Sequence, residues 1–259
     1  MIQVEKIANI VYFDSNLSKD STLIVSSPNG LLSIIKYNKT EYIKFDIEQK
    51  NVVIYPNGDE LFTTSDTEQG LRVWDLESKK IVFSYPKDNI KQHVYIQHNN
   101  IAALTNLGIK FYDLRMRYSY NFYEAKNVEQ LDYNRGLYFA TDHAVFMYQN
   151  NDKTQIYNSE TRIKDLKDGV VLADDHLYFI NEQLSKSYCA DQILPLHHEF
   201  KGQKILVSTL KTNLIDWVGY DHQFKEKFSQ FEKIDRAISN EDVFYIFSNK
   251  ELYGVNFDF

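Results

Sequence analysis

At 259 residues the chain is long enough for one large all-β unit, and its formal net charge of −7 excludes a general nucleic-acid binder, which carries a basic excess. Its 19 tyrosines and 17 phenylalanines, with abundant Ile and Val, favour strands, while no stretch repeats apolar residues at helical spacing, which excludes a helical bundle. No run approaches the ~20 apolar residues that a membrane-spanning helix needs.

Cys189 is the lone cysteine and cannot form an internal disulfide, so a reducing, cytoplasmic setting is expected. The first residues, "MIQVEKIANIVYF", lack a basic segment leading into an apolar core, and no signal peptide is expected.

In chain order, "IQVEKI" (Ile2–Ile7) alternates as a strand ahead of the first full unit. That unit holds the long turn "DSNLSKDST" and a third strand ending at Tyr37-Asn38. The second unit is the most legible. "NVVIYPNGDELFTTSD" reads as strand, turn at Pro56-Asn57-Gly58, strand, and "GLRVWDLESKKIVFSY" as strand, turn, strand. Four antiparallel strands joined in this way make one propeller blade. The third unit places Gly108 and Tyr112-Asp113 where the second has Gly70 and Trp74-Asp75. The fourth offers Tyr148-Gln149, the short fifth Ile180-Asn181, the sixth Trp217-Val218 and the last Val255-Asn256. These anchors recur every 32 to 38 residues, near the roughly 40 of a WD-type blade. Each anchor is expected to pack between neighbouring sheets, and the polar residue after it to end the strand. The chain stops soon after the third strand of its last unit, so Ile2–Ile7 is expected to supply the missing outer strand. The predicted fold is a single seven-bladed β-propeller over residues 1–259, closed by the N-terminal strand pairing with the last blade. With few Gly and Pro, Asn and Asp are expected to fill the turns.

The period and the motifs "GLRVWDL" and "GIKFYDLR" resemble the WD-repeat β-propeller family, and the resemblance covers the whole chain by period. Within it the chain is similar to small-subunit ribosomal scaffolds of the activated C kinase receptor type. The unit from Phe45 to Tyr85 matches their second blade in length and pattern, and "DSNLSKDST" stands where they carry extra residues. The resemblance implies a non-enzymatic scaffold without cofactor, metal or small-molecule substrate. It implies partners in the small ribosomal subunit, ribosomal RNA included. The family's Gly-His pair is absent, as is the Asp of the turn before the third strand in most units. The polar networks linking blade strands thus lack their usual residues. The basic cluster that holds ribosomal RNA in the first blade maps near Ser26–Leu32, which has no Arg or Lys; Lys36, Lys39 and Lys44 lie nearby as substitutes. "YDLRMR", Tyr112 to Arg117, also resembles the Trp-Asp-x-Arg of propeller substrate receptors in cullin-RING ubiquitin ligases. That alternative puts Arg115 against an adaptor.

Candidate chemistry is thin. His197-His198-Glu199 has metal-ligating residue types, but neighbours on a strand point to opposite faces, so a polar turn or strand end is expected. Asp174-Asp175-His176 lies between two apolar runs, where a hairpin turn belongs. Cys189 reads as a buried small residue. No phosphate loop or nucleophile elbow occurs. Lys79, Lys80, Lys87 and Lys91, with Arg115 and Arg117 of the next unit, are expected to share one positive face. Tyr118, Tyr120, Phe122 and Tyr123 follow, and some of them must face outward, where aromatics suit protein or RNA contact.

Overall fold

The protein, described by a computed structural model, is all-β and of β-propeller type. The structure describes residues 2–257 except 13, 19, 37–38, 45–47, 56–60, 67–69, 86–87, 98, 117, 151, 168, 174–175, 182, 188–191, 195–198, 201–202, 205, 211–213, 219–222, 228–230, 232 and 240–243. Pro56-Asn57-Gly58, Tyr37, Lys87, Arg117, Asp174, Asp175, Cys189, His197 and His198 therefore lie outside the described residues.

The chain packs as two compact units, one formed by Met1–Val11 with Thr161–Phe259 and the other by Tyr12–Glu160. Strand β1 (Ile2–Asn9) belongs to the first. In Tyr12–Glu160 the sheets are four-stranded antiparallel meanders whose spatial order follows the chain. The first comprises β2 (Asp14–Leu17), β3 (Leu23–Ser27), β4 (Leu31–Lys36) and β5 (Lys39–Lys44). The next comprises β6 (Asn51–Ile54), β7 (Leu61–Asp66), β8 (Gly70–Asp75) and β9 (Lys80–Ser84). Then come β10 (Ile90–Tyr95), β11 (Asn100–Thr105), β12 (Gly108–Asp113) and β13 (Ser119–Glu124), followed by β14 (Gln130–Tyr133), β15 (Leu137–Ala140), β16 (Ala144–Gln149) and β17 (Asp152–Asn158).

In the other unit β18 (Ile163–Lys167), β19 (Val170–Ala173), β20 (His176–Phe179) and β21 (Leu184–Ser187) form one sheet. Strand β22 (Gln192–Leu194) leads through the hairpin of β23 (Glu199–Phe200) and β24 (Gln203–Lys204) to β25 (Leu206–Leu210), β26 (Leu214–Val218) and β27 (Gln223–Lys227). The last sheet is β28 (Arg236–Ser239), β29 (Phe244–Ser248) and β30 (Glu251–Phe257), with β1 outermost. The β22 sheet is described by its backbone ladder and the Ile193 side chain. Strand β1 pairs antiparallel with β30 from Ile2↔Phe257 to Asn9↔Glu251, the pairing the N-terminal alternation predicts.

The first strands of successive sheets lie side by side, β2 on β6, β6 on β10, β10 on β14, and, in the other unit, β18 on β22 and β22 on β28. Their facing edges carry backbone groups outside any ladder, and these need partners. A polar side chain from the preceding sheet supplies them. Asp14 accepts from the Val52 amide at 3.0 Å, and Asn16 Oδ1 from the Ile54 amide at 3.2 Å. Asn51 Nδ2 donates to the Lys91 carbonyl at 3.1 Å. Gln92 does both, donating to the Leu131 carbonyl at 2.8 Å and accepting from its amide at 2.9 Å. Asp165 accepts from the Ile193 amide at 3.0 Å.

The aromatic anchors close the space between sheets. Trp74 is fully buried, stacked on Phe62, and packs with Ile24 and Leu32 of the preceding sheet. Tyr112 packs back on Tyr85, with ring centroids 4.7 Å apart, and Tyr148 on Phe111 at 5.3 Å. Val255 is buried against Phe231 and Ile234. Trp217 lies in β26 as expected. Ile180 departs from the pattern: it stands one residue beyond β20, in a turn, because β20 is only four residues long. Asp75 and Asp113 end their strands as expected, accepting the turn amides of Ser78 at 2.6 Å and Arg115 at 2.9 Å.

Left-handed backbone positions are filled by Asn29, Asn99, Asn127, Asn150 and Asn249, but also by Lys79, Arg135, Gln183 and Lys250, and by no Asp among the described residues. Asp serves instead as an acceptor for turn amides. Gly70 and Gly108, equivalent in the repeat, both open a third strand with positive φ, +82° and +150°. At Gly108 a Cβ would stand 2.2 Å from the Tyr123 carbonyl oxygen and 2.8 Å from the Ala125 nitrogen. Backbone on both counts, these atoms cannot swing away. Gly108→Ala is therefore expected to lose about 2–4 kcal/mol of unfolding free energy in a urea titration. Gln92→Ala, which leaves the Leu131 amide and carbonyl without their partner, is expected to lose about 1–2 kcal/mol.

Candidate interaction surface

The buried polar groups of the second sheet are mutually satisfied. Thr64 on β7 donates its hydroxyl to Gln49 Oε1 at 2.6 Å and accepts from Trp74 Nε1 at 2.8 Å, and Arg72 Nη1 donates to the same Gln49 oxygen at 2.7 Å. Gln49 sits in the segment leading into β6, where the resembled family opens a unit with Gly-His. A network thus forms with other residues than the family motif supplies, and no motif in the sequence marks it.

His93 on β10 reaches across to β7. Its Nε2 lies 3.0 Å from the Thr63 hydroxyl and its Nδ1 3.0 Å from the Ser65 hydroxyl, and Ser65 also accepts from Asn51 Nδ2 at 3.0 Å. The ring is 2 % exposed. Burial pushes its pKa from 6.5 down to about 3, with the bond to Thr63 acting weakly the other way. The imidazole ties two sheets together in its neutral form and is closed to any substrate.

Among the described residues the candidate cations do not all share one face. Lys79 lies in the turn from β8 to β9, Lys80 opens β9, and Arg115 lies in the equivalent turn from β12 to β13, at one end of their sheets. Lys91 lies on β10 beyond the far end of β9, so a strand length of about 15 Å separates it from Lys80. Several of these charges are already paired. Lys79 bridges to Glu41, Lys36 to Asp20, and Arg115 forms a two-pronged bond to Asp113, with Nη2–Oδ2 at 2.6 Å. The Arg115 guanidinium holds the Asp113 carboxyl below the usual carboxylate range. Lys39, Lys44, Lys80 and Lys91 are exposed. Near Ser26–Leu32 the backbone amide of Asn29 donates to the acid Glu48 at 3.4 Å.

Beside Arg115 the chain exposes an apolar ridge. Met116, Tyr118, Tyr120 and Phe122 are 40 to 59 % exposed. The ridge begins in the turn after β12 and runs along β13, the outer strand of its sheet. Tyr120 is the extra residue of a β-bulge, since Phe111 pairs with Asn121 and Tyr112 with Ser119. At the bulge Tyr120 stays exposed, with its ring tilted against Phe111 at a centroid separation of 6.1 Å. Tyr123 turns in against Phe139 and Tyr148. A large exposed aromatic patch held on a rigid strand is what a protein interface uses.

Among the described residues no three His, Cys, Asp or Glu side chains converge as a metal-binding group, and no helix is long and apolar enough to cross a membrane. The arrangement defines a protein of β-propeller type and is consistent with a WD-repeat-type fold. No family model matches the chain, and no curated protein matches it.

His93 supplies a pH test. The unfolded chain takes up the proton near pH 6.5, whereas the folded one resists it to about pH 3. The unfolded state therefore holds more protons between these values, and stability, full above pH 6.5, falls as pH drops through the window. Urea titrations from pH 6.5 to 4.5 are expected to show a loss of up to about 1.4 kcal/mol per pH unit. His93→Gln is expected to remove most of that slope.

Proposed function

We propose that this protein is a non-enzymatic β-propeller scaffold that holds protein partners at fixed separation. The observation that carries the reading is the exposed Met116–Phe122 ridge on a rigid outer strand. In this reading residues 1–259 form one ring of seven blades, with β1 sealing it beside β30. The β1–β30 ladder and the recurrent side-chain latches between first strands support that arrangement.

The small ribosomal subunit is the proposed host, in the cytoplasm, on the resemblance of the Phe45–Tyr85 unit and of the first-unit turn. Charge favours docking mainly through proteins rather than RNA. Lys36, Lys79 and Arg115 are neutralised within the chain, and an acid stands at the first-blade turn. Exposed Lys39, Lys44, Lys80 and Lys91 remain for phosphate contacts, which salt would weaken. A second reading, an adaptor-bound ubiquitin-ligase receptor, is favoured by the Arg115 side chain, 69 % exposed and held in place by Asp113.

Affinity purification from cells with mass spectrometry tests these readings. Small-subunit proteins are expected to co-purify with the wild type. Tyr118→Ala with Phe122→Ala is expected to reduce them about thirtyfold, the weight of a hot-spot aromatic. Recovery of a cullin adaptor that Arg115→Ala abolishes would select the second reading. Unchanged recovery with the ridge variant would reject the ridge as the interface.

A further inference from the structure

Outer strands present unpaired backbone that other chains can pair with, and β-bulges blunt that edge. In Tyr12–Glu160 three of the four outer strands carry one. The register against the neighbouring strand shifts so that Val82 on β9, Tyr120 on β13 and Ile156 on β17 are extra residues. Strand β5 does not. It pairs with β4 without a break from Leu31↔Lys44 to Lys36↔Lys39, and among the described residues its other edge joins no strand.

The side chains on this open edge select among occupants. Lys39 and Lys44 stand exposed at the two ends with no ion pair among the described residues, and Tyr42, 60 % exposed, stands between them. Glu41 is already bridged to Lys79. A second copy of β5 laid antiparallel over its full length would oppose Lys39 to Lys44 at both ends, and like charges opposite each other are unfavourable. A strand with acidic ends meets a cation at each end instead.

We propose that the β5 edge is a strand-addition site for an extended acidic peptide segment of a partner protein. Backbone hydrogen bonds along Lys39–Lys44 supply the affinity, and the terminal lysines supply the choice of acidic over basic sequence. The proposal deepens the scaffold reading, resting on it for a protein partner, but uses a surface separate from the Met116–Phe122 ridge.

The probe is a fluorescein-labelled, end-blocked peptide of alternating valine and threonine with glutamate at each end, followed by anisotropy. Its lysine-ended counterpart and a version N-methylated at alternate residues are controls. Wild-type protein is expected to bind the acidic peptide and protect amides within residues 39–44 from hydrogen exchange. Lys39→Glu with Lys44→Glu is expected to weaken the acidic peptide about tenfold and to gain the lysine-ended one, which also shows that the variant is folded. The Tyr118→Ala with Phe122→Ala variant is expected to bind as wild type does, so loss of the ridge function and loss of this site are read separately. No binding to wild type, equal binding of both peptides, undiminished binding of the N-methylated peptide, or self-association of the wild type through β5 would each overturn the proposal.

Discussion

Every sheet begins with a strand that has a neighbour on one side only, and its other edge must find hydrogen-bond partners. The structure meets this constraint with polar side chains that reach across from one first strand to the next. Asp14, Asn51, Gln92 and Asp165 occupy corresponding places near the starts of β2, β6, β10 and β18, and each reaches the backbone of the following first strand. Asp and Asn span the gap with one methylene and Gln with two, so different residues serve where spacing varies. Because each bond lies 28 to 40 residues away in sequence, it forms only when two successive sheets have both folded.

Packing follows the same direction. Trp74, Tyr112 and Tyr148 each lean back on the preceding sheet. The polar latch therefore works forward along the chain and the aromatic anchor backward. The network of Gln49, Thr64, Arg72 and Trp74 lies on one face of the second sheet, and on the other face the His93 bridge fills the junction with the third sheet. There the buried polar atoms have partners on two sheets, which sets the stagger between them more narrowly than apolar contact alone.

The surface is built on different terms. Paired cations at Lys36, Lys79 and Arg115 damp the field that a basic face would project, while the aromatic side chains of β13 stay exposed. Bulges on β9, β13 and β17 discourage strand addition there and turn side chains outward, so these rims favour contact through side chains. Strand β5 keeps a regular edge, with charge as its selector.

Local pattern made much of this legible. Alternation and turn residues marked the strands, and Gly70 and Gly108 with Trp74-Asp75 and Tyr112-Asp113 marked the repeat, because these depend on neighbours along the chain. The latches also left a trace, an Asp, Asn or Gln among the first three residues of β2, β6, β10 and β18. Such residues are too common at strand starts to stand out without knowing which strands face one another. The role of Gln49 in a buried network, the burial of His93, the short β20 that leaves Ile180 in a turn, and the separation of Lys80 from Lys91 were not legible. Each depends on atoms brought together from distant parts of the chain. Strand identity and period are set by residues a few positions apart, and the sequence by itself determined them. Which charges are neutralised, which aromatics stay in solvent and which edge stays open were decided only by tertiary structure, because each is a property of the neighbour that folding supplies.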